Sequence, residues 1–549
     1  MFGQHQQRRH TRTARRRLDR RAPAVLVAVT ILLSACGSGD GAESNSAADG
    51  GTLIIGMESE ADVLDPPRTG SWVTTRVTRQ MYEGLIDEDL SKGSDEVPIP
   101  PLRPALAESW DVSEDGLVYT FHMRPGVTFH DGTEVDAEAA AFNIRRMWDK
   151  TFELYDAKSA AQSAFVWQHL TSVETPDPMT LELTMAQPFS AFPRLLTQGG
   201  YNTIISPTAL EKYGNDEIAD HPTGTGPFKF VDRVRGQRIT LERNDDYWGE
   251  KAKLARVIFR PLPDASTRAA ALRAGEVDMI AAPSPDSLAN LREAGFQVSE
   301  GAPPHLWFLS LNVAEGPTAD IRVRQAINLA INREGLVTDL LKDTAVPALS
   351  VLPPANSAAV PDEEAYRYDP DEARRLLAEA GFADGFSTVL TTSTSGSGQI
   401  IPVEMAEYIQ ADLADVGIRA EIRSAEWISY LTTYNQGMAP DVSMAQMSWG
   451  MSSPYWLNIL NSSSLIAPNG PNVAGYSSPE LDALMQEAAT ALDDDAADEL
   501  WKQAVVMAQE ARAIAPVVND KAPYVLSPDV QGFVSPSEEW FDLNAVSIG

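Results

Sequence analysis

Few residues of this chain have the types and spacing that enzymatic chemistry needs. Its 549 residues include one cysteine, Cys36, and no GxSxG, HExxH, CxxC or GxxxxGK sequence that would indicate a nucleophile, a zinc site or a phosphate loop. Acidic residues are so numerous, 77 in all, that any glycosidase-like pair could be assembled by choice. The histidines after Cys36 have spacings that fit no metal site: His122, His130, His169, His221 and His305. The sequence predicts no catalytic residue, no metal site and no cofactor.

Cys36 ends a segment that has the order of a secretory signal. Eight arginines fall within the first 21 residues, and an apolar stretch and then Leu33-Ser-Ala-Cys36 follow. The apolar stretch is shorter than the roughly 20 residues that a membrane-spanning helix needs, so we expect residues 1–36 to be a cleaved signal peptide. The cleavage site resembles a lipobox, which implies lipid attachment at Cys36 and an anchor on the extracytoplasmic face of the cell membrane. An ordinary secretory signal with a chance cysteine is the alternative.

Residues 37–51 read GSGDGAESNSAADGG, and this polar stretch predicts a flexible tether rather than a packed segment. The whole chain has a formal net charge of −33, although the predicted signal is strongly basic. So acidic a protein is repelled by nucleic acid and by anionic lipid. The charge therefore argues against both as partners, and solubility explains most of it.

Short strand-like runs alternate with longer helical ones, which predicts a mixed α/β fold. Residues 52–56, 118–123 and 238–242 have strand patterns, whereas residues 323–341 and 371–380 have helical ones. Asp369 and Pro370 have the residue types of a helix start, and Gly381 ends that helix. The length of the chain predicts two or more domains.

Residues 104–147 read PALAESWDVSEDGLVYTFHMRPGVTFHDGTEVDAEAAAFNIRRM, a strand, two turns and a helix opening at residues 134–136 in close succession. Six further blocks occur in order: 81–85, 224–231, 241–249, 274–279, 323–335 and 368–382. Together these blocks resemble the peptide/nickel family of solute-binding proteins of ABC transporters. Most of their residues have scaffold roles, such as the turns at Gly224 and Gly226.

The resemblance implies an α/β, two-lobed clamshell like that of periplasmic binding proteins, with an additional inserted domain. Residues 52–88, 222–304 and 515–549 would form lobe I, residues 89–221 the inserted domain, and residues 305–514 lobe II. It also implies a monomer that captures a peptide-like or other small polar solute between its lobes and delivers it to the permease subunits of the importer. An extracytoplasmic hydrolase, or a surface adhesion or signalling protein, on the same fold is the alternative function.

In the family, three segments face the cleft, and the resemblance carries their roles onto this chain. The implied ligand-binding residues are Glu60, Ala61, Asp62, Trp427, Tyr434, Gln446, Trp449, Gly450, Met451 and Ser452. Trp427 and Trp449 are the leading candidates because large rings can flank varied ligands, although plain packing within the lobe is the alternative for each.

The charged anchors that peptide receptors use are missing at the matching positions. Ser452 stands where the family has an aspartate that binds the α-ammonium group of a peptide, and Tyr434 and Gln446 stand where oligopeptide receptors have arginines. A serine cannot replace a carboxylate opposite a buried cation. We therefore expect a neutral or capped ligand rather than a free peptide. Nickel is disfavoured because the implied lobe II segments contain no histidine.

Overall fold

The computed structural model describes residues 50–93, 97–301, 304–396, 398–536, 538 and 540–549. The predicted signal peptide with Cys36, and the tether up to residue 49, lie outside the described residues. No helix in the described ranges combines the length and the apolar character that crossing a membrane would require.

The strands are numbered in chain order. They are β1 Thr52–Met57, β2 Ile86–Glu88, β3 Leu102–Pro104, β4 Ala107–Val112, β5 Val118–Met123, β6 Leu170–Asp177, β7 Thr180–Met185, β8 Phe228–Val234, β9 Arg238–Arg243, β10 Arg256–Pro261, β11 Met279–Ala281, β12 Gln297–Ser299, β13 His305–Leu311, β14 Ala345–Pro347, β15 Phe386–Ser393, β16 Ile418–Ala425, β17 Val442–Gly450, β18 Ile514–Asp520, β19 Tyr524–Leu526, β20 Val530–Gln531 and β21 Ser547–Ile548.

The α-helices are numbered in the same way. They are α1 Trp72–Thr78, α2 Ala137–Trp148, α3 Ala157–Trp167, α4 Phe192–Leu196, α5 Pro207–Glu217, α6 Ala265–Arg273, α7 Pro285–Glu293, α8 Ile321–Ala330, α9 Arg333–Gly335, α10 Glu363–Tyr366, α11 Pro370–Glu379, α12 Pro402–Asp415, α13 Trp427–Tyr434, α14 Trp456–Asn461, α15 Pro479–Thr490 and α16 Asp494–Ala511.

A seven-stranded sheet has the order β12-β19-β11-β1-β10-β9-β8. Its central strand β1 pairs in parallel with β10 and β11, as expected of a buried α/β strand. Leu53 and Ile55 join one apolar cluster while Ile54 packs against another, so both faces of β1 are covered. The β-branched run of residues 52–56 forms this strand as predicted.

A six-stranded sheet has the order β14-β18-β13-β17-β15-β16. Every residue of β13 is buried, with Leu306 and Phe308 in one cluster and Trp307 and Leu309 in the other. Because β13 and its neighbour β17 are covered on both faces, side chains near the ends of these strands are held firmly.

A four-stranded antiparallel sheet, β4-β5-β7-β6, is formed within the segment predicted as the inserted domain. Strand β5 has the same bounds as the predicted strand, and α2 follows the predicted helix opening with Asp136 as N-cap. The Asp136 carboxylate accepts a hydrogen bond from the Ala139 N–H at 2.8 Å.

One predicted helix is wrong. Residues 323–341 were expected to be continuous, but α8 ends at Ala330, and a separate turn begins at Arg333 and continues as a π-helix, Leu336–Leu340. The break is stabilised at Asn332, whose side chain accepts from the Gly335 N–H at 3.0 Å and whose own N–H donates to Asp412 at 2.8 Å. Such local side-chain caps compete with a continuous helix.

The chain passes between the two large sheets at two places. Strand β12 in the seven-stranded sheet is followed by β13 in the six-stranded sheet, and β18 in the six-stranded sheet is followed by β19 in the seven-stranded sheet. The residues between these strands are 300–304 and 521–523. The predicted lobe boundaries stay a prediction.

Both ends of the described chain meet in the seven-stranded sheet region. Gly51 has φ +72°, and a Cβ at this position would overlap the Ile548 side chain of β21. The Gly51 carbonyl also accepts hydrogen bonds from the Ala255 and Arg256 N–H groups beside β10. Residues 50–51 and the C-terminal strand are therefore neighbours.

Candidate ligand-binding cleft

A cavity of about 380 Å³ is walled by α13 and β17 on one side and by residues 62, 68–72, 538 and 540 on the other. Its size and aromatic lining are those of a small-molecule site. Five tryptophans contribute to the wall: Trp72, Trp427, Trp449, Trp456 and Trp540. We call this cavity the cleft.

Trp427 and Trp449 come from adjacent elements of the six-stranded sheet region. Trp427 is the first residue of α13, and the Glu426 side chain caps that helix by accepting from the Ile428 N–H at 3.1 Å. Trp449 lies near the end of β17, with its ring 5.6 Å from that of Trp456. Both rings are half-buried, which leaves part of each facing the cleft.

Trp72 reaches the cleft from the other side, as the first residue of α1. Its ring lies 4.8 Å from His305 of β13 and contacts Gly398, where a side chain would overlap the indole. Gly398 also has φ +66°, a conformation that favours glycine. The close approach of Trp72 to this loop joins the two walls of the cleft.

Asp62 is held in place by hydroxyl groups of its own segment. Its carboxylate accepts hydrogen bonds from Thr74 and, at 3.0 and 3.2 Å, from Thr69. Nearby Arg68 also lines the cleft, but its guanidinium is paired with Asp156 at 2.6 Å. The charges of this wall are thus largely satisfied within the protein.

Glu538 is a carboxylate of the cleft wall that is almost fully buried, with 3% of its surface exposed. Its Oε1 accepts from the Ser452 N–H at 3.0 Å, and its Oε2 lies against Gly450 of β17. The Ser452 hydroxyl accepts from Gln198 Nε2 at 2.7 Å. Ser452 therefore positions Glu538 and Gln198 from behind the wall, because it is not itself on the surface of the cleft.

Burial raises the pKa of Glu538 to about 8, and repulsion from Glu88 contributes to the rise. Hydrogen bonds from Ser452 and the charge of Arg194 oppose it. Arg194 is itself paired with Glu88 at 2.9 Å. Near neutral pH, Glu538 thus carries its proton in the free protein.

The structure brings only part of the predicted set together. Four of the predicted ligand-binding residues line the cleft: Asp62, Trp427, Trp449 and Gly450. The other six do not line it: Glu60, Ala61, Tyr434, Gln446, Met451 and Ser452. The assignment of all ten residues to ligand binding stays a prediction.

The six residues off the cleft have other partners. Glu60 pairs with Arg233 at 2.8 Å, and the same arginine donates to the Ala61 carbonyl. Buried Gln446 donates to the Pro402 carbonyl at 2.9 Å. Met451 is fully buried in the core, and its N–H donates to the Pro304 carbonyl at 2.5 Å.

Tyr434 faces away from the cleft, into a separate cavity of about 570 Å³ beneath α13. It is 4% exposed, and its hydroxyl lies 3.4 Å from that of Ser310. Burial raises the pKa of this phenol well above its usual value. Tyr434 and Trp427 are seven residues apart in one short helix. Of these two residues, Trp427 lines the cleft and Tyr434 does not.

Several cleft residues escaped the sequence prediction: Trp72, Gln198, Tyr201, Trp456, Glu538 and Trp540. They come from α1, the loop after α4, α14 and the C-terminal segment, which are far apart in sequence. Two features of the sequence could have indicated these cleft residues: the tryptophan at the start of α1, and the acidic and aromatic residues near the C-terminus. The described residues contain no cluster of histidine, cysteine or carboxylate side chains suited to a metal ion.

Two large sheets that the chain crosses between twice, with an aromatic cleft, are typical of two-lobed binding proteins of the periplasmic type. Comparison with known proteins supports this class and identifies the family within it. Residues 101–468 match the model described as bacterial extracellular solute-binding proteins, family 5 Middle. The chain belongs to this family of binding proteins.

The relatives include the glutathione-binding protein GsiB of Shigella flexneri serotype 5b, 32% identical over 88% of this chain and 91% of that protein. Heme-binding protein A of Haemophilus influenzae is 29% identical over 94% and 96%. A solved structure of the ABC transporter-associated periplasmic binding protein DppA from Helicobacter pylori, in complex with the peptide STSA, has a TM-score of 0.81 at 28% identity, covering 91% of this chain and 98% of that one.

These similarities confirm the predicted family and fold class. They also confirm the broad function: the chain is an extracytoplasmic solute-binding protein of the type that delivers its ligand to an ABC transporter.

Proposed function

We propose that this protein captures a peptide-like or other small polar solute in the cleft and presents it to the permease subunits of an ABC importer. The cleft carries this proposal, because its tryptophans come from both walls and can close around one solute. Ligand binding then favours the closed form, which is the form that a permease would recognise.

The relatives narrow the classes of solute to examine. They are named or described as binding glutathione, haem and the peptide STSA. A cavity of about 380 Å³ suits a short peptide or a compound of similar size better than a haem. We therefore expect a ligand of dipeptide to tetrapeptide size.

Replacing either leading tryptophan should weaken capture without unfolding the protein. Trp427→Ala and Trp449→Ala each remove half-buried ring surface from the cleft, and we expect an increase in Kd of about tenfold or more. Calorimetry with the solute that most raises the melting temperature of the wild-type protein measures this change.

Trp110→Ala is the matched control, since Trp110 is also half-buried but lies on β4 of the four-stranded sheet, outside the cleft. The control should retain the wild-type Kd. Unchanged affinity in both cleft variants would contradict the assignment of the cleft as the solute site.

We also propose that Cys36 carries a lipid, which would hold the protein at the extracytoplasmic face of the cell membrane as a monomer. The arginine-rich segment, the short apolar stretch and the lone cysteine support this. Residues 37–49 would then separate the folded body from the membrane surface, whereas residues 50–51 of the predicted tether are packed against the folded body.

A further inference from the structure

Glu538 forms no ion pair with any of the described residues, and the charge of Arg194 acts on it only at longer range. Among the described residues, no arginine, lysine or histidine lies within ion-pair distance of its carboxylate, although the residue is almost fully buried. A buried ionised carboxylate without a partner is strongly destabilising. Its position in the wall of a ligand cavity, rather than in the core, requires a reason.

The fold makes a specific place for this side chain. Position 450 is glycine, and a Cβ there would overlap Glu538 Oε2, so only glycine allows the carboxylate to lie against β17. The Ser452 N–H, two residues further on, orients the other oxygen at 3.0 Å. One oxygen is thus fixed by the backbone, and this arrangement aligns the carboxylate at the cleft wall.

The surroundings of Glu538 suit a positively charged nitrogen. Trp72, Trp449 and Trp540 line the same cavity, and aromatic faces attract ammonium groups, most strongly where water is excluded. The other charged cleft residues are Asp62 and Arg68, and Arg68 is already paired with Asp156. No free cation of the described cleft wall competes for the Glu538 carboxylate.

We propose that Glu538 is the acceptor for an ammonium group of the solute, so that the cleft selects small ligands that carry a positively charged nitrogen. The proposal rests on the cleft being the solute site. It reverses the expectation of a neutral ligand that was drawn from Ser452, because the carboxylate is supplied by a different segment of the chain. Ser452 becomes a positioning residue.

Binding of an ammonium group should release a proton. Burial holds the pKa of Glu538 at about 8 in the free protein, and a bound cation lowers it, so the carboxyl loses its proton on binding at pH 7. The charged groups facing Glu538 are Glu88 of β2 and Arg194 of α4, with Asp62 and Arg68 elsewhere on the wall. Affinity for the cation should therefore increase from pH 6 to pH 8.

The test compares matched ligands and matched variants of the full mature protein. The ligands are the dipeptide Ala-Phe, its N-acetyl derivative, and phenethylamine, which carries an ammonium group but no peptide bond. The variants are Glu538→Gln, which retains the acceptor for the Ser452 N–H, and Glu487→Gln, which removes the same charge from an exposed face of α15.

We expect the wild type and Glu487→Gln to bind Ala-Phe, phenethylamine or both, and to bind the N-acetyl peptide at least about tenfold more weakly. Glu538→Gln should lose at least about tenfold in affinity for the amines while keeping or raising its melting temperature at pH 7. Calorimetry in phosphate and in Tris should show proton release with the wild type and none with Glu538→Gln.

A second variant separates the carboxylate's position from its charge. Gly450→Ala should displace Glu538 and weaken amine binding by a similar factor, and adding Glu538→Asp, with its shorter side chain, should restore part of the affinity. Equal binding of Ala-Phe and its N-acetyl derivative, or wild-type amine affinity in Glu538→Gln, would overturn the ammonium site and leave the solute-binding function intact.

Absence of binding to all three ligands would also overturn the ammonium site. In that case, the panel of solutes used for the tryptophan variants decides the broader question. If an uncharged solute of that panel binds in the cleft, the proposed function holds; if none binds, the proposed function fails with the ammonium site.

Discussion

Glu83 and Glu538 are two carboxyls whose pKa values the fold raises into the neutral range or above it. Burial raises the pKa of Glu83 to about 7, against the hydrogen bonds that it accepts from Trp248, Tyr247 and Thr225. These donors form a closed set around the side chain, with Tyr247 at 2.7 Å and Trp248 at 2.8 Å. The carboxyl of Glu83 is thus satisfied by donors of the protein, although it also borders a separate cavity of about 120 Å³, whereas Glu538 faces the cleft.

The raised pKa values of Glu83 and Glu538 predict how the stability of the folded protein depends on pH. Their pKa values are raised in the folded state, so the folded protein binds more protons than the unfolded chain above pH 4.5, and stability is lost as the pH rises through about 7 and about 8. Burial lowers the pKa of His130 to about 4, and this residue acts in the opposite sense only below about pH 6.5.

The free energy of unfolding should thus fall from pH 6.5 to about pH 8, by up to about 1.4 kcal/mol per pH unit for each group, and level off above the two raised pKa values. Urea unfolding at several pH values measures the slope. Glu83→Gln and Glu538→Gln should each make the slope shallower, and Glu487→Gln should not change it. A wild-type stability that is flat over this range would contradict both assignments.

At the residue scale, the sequence indicated only part of the cleft. Trp427 and Trp449 lie in segments that the family resemblance implies to face the cleft, so their roles could be carried over. Glu538 and Trp540 could not be placed, because the C-terminal segment reaches the cleft only through the tertiary fold. The sequence shows that a serine, Ser452, replaces the aspartate of the family. It does not show that the Glu538 carboxylate lies beside this serine.

At the scale of elements, a buried ion pair fixes α2 to the segment that lines the cleft. Arg146 of α2 forms two hydrogen bonds to Asp65, at 3.0 and 2.6 Å, and both side chains are almost completely buried. Arg146 also donates to Asn215 at 2.8 Å. Asp65 immediately precedes the turn that contains Arg68, so this pair supports one wall of the cleft.

Removing Arg146 should leave Asp65 buried with only the weaker contact to Arg68 at 3.3 Å. We expect Arg146→Ala to lower the free energy of unfolding by about 3–5 kcal/mol. Arg145→Ala is the control from the same helix, since Arg145 pairs with the exposed Glu138 and should cost less than about 1 kcal/mol. Similar losses in the two variants, measured by urea unfolding, would show that the buried pair contributes little.

Elements with complete local signals were predicted well. The helix α11 has Asp369 as N-cap, Pro370 at its first position and Gly381 at φ +91° after its end, as the sequence indicated. The break after α8 was missed because apolar periodicity continues through it. The break is stabilised by the local cap of Asn332 on Gly335 and by the contact between Asn332 and Asp412, which are 80 residues apart in the sequence.

At the scale of the whole molecule, the resemblance of blocks along most of the chain predicted the family and the two-lobed α/β class, and both are confirmed. The lobe boundaries stay a prediction. They are difficult to derive from sequence because β18 and β19 are separated by three residues yet belong to different sheets.

The proposed membrane attachment also concerns the whole molecule. We expect Cys36→Ser to move the protein from the membrane fraction to the soluble fraction, because a hydroxyl cannot accept the lipid through a thioether. Fractionation of cells followed by immunoblotting measures this. Ser34→Ala, two residues earlier, is the matched control and should leave the protein in the membrane fraction; a soluble wild type would contradict the lipid anchor.

The contact between Gly51 and Ile548 makes the start and the end of the folded body near neighbours. A short glycine-rich linker could therefore join them, and new ends could be opened at an exposed hairpin such as the turn at Gly236 between β8 and β9. Such a circularly permuted chain would retain both sheets and the cleft. It would place a fluorescent reporter at the new ends, converting solute capture into an optical signal.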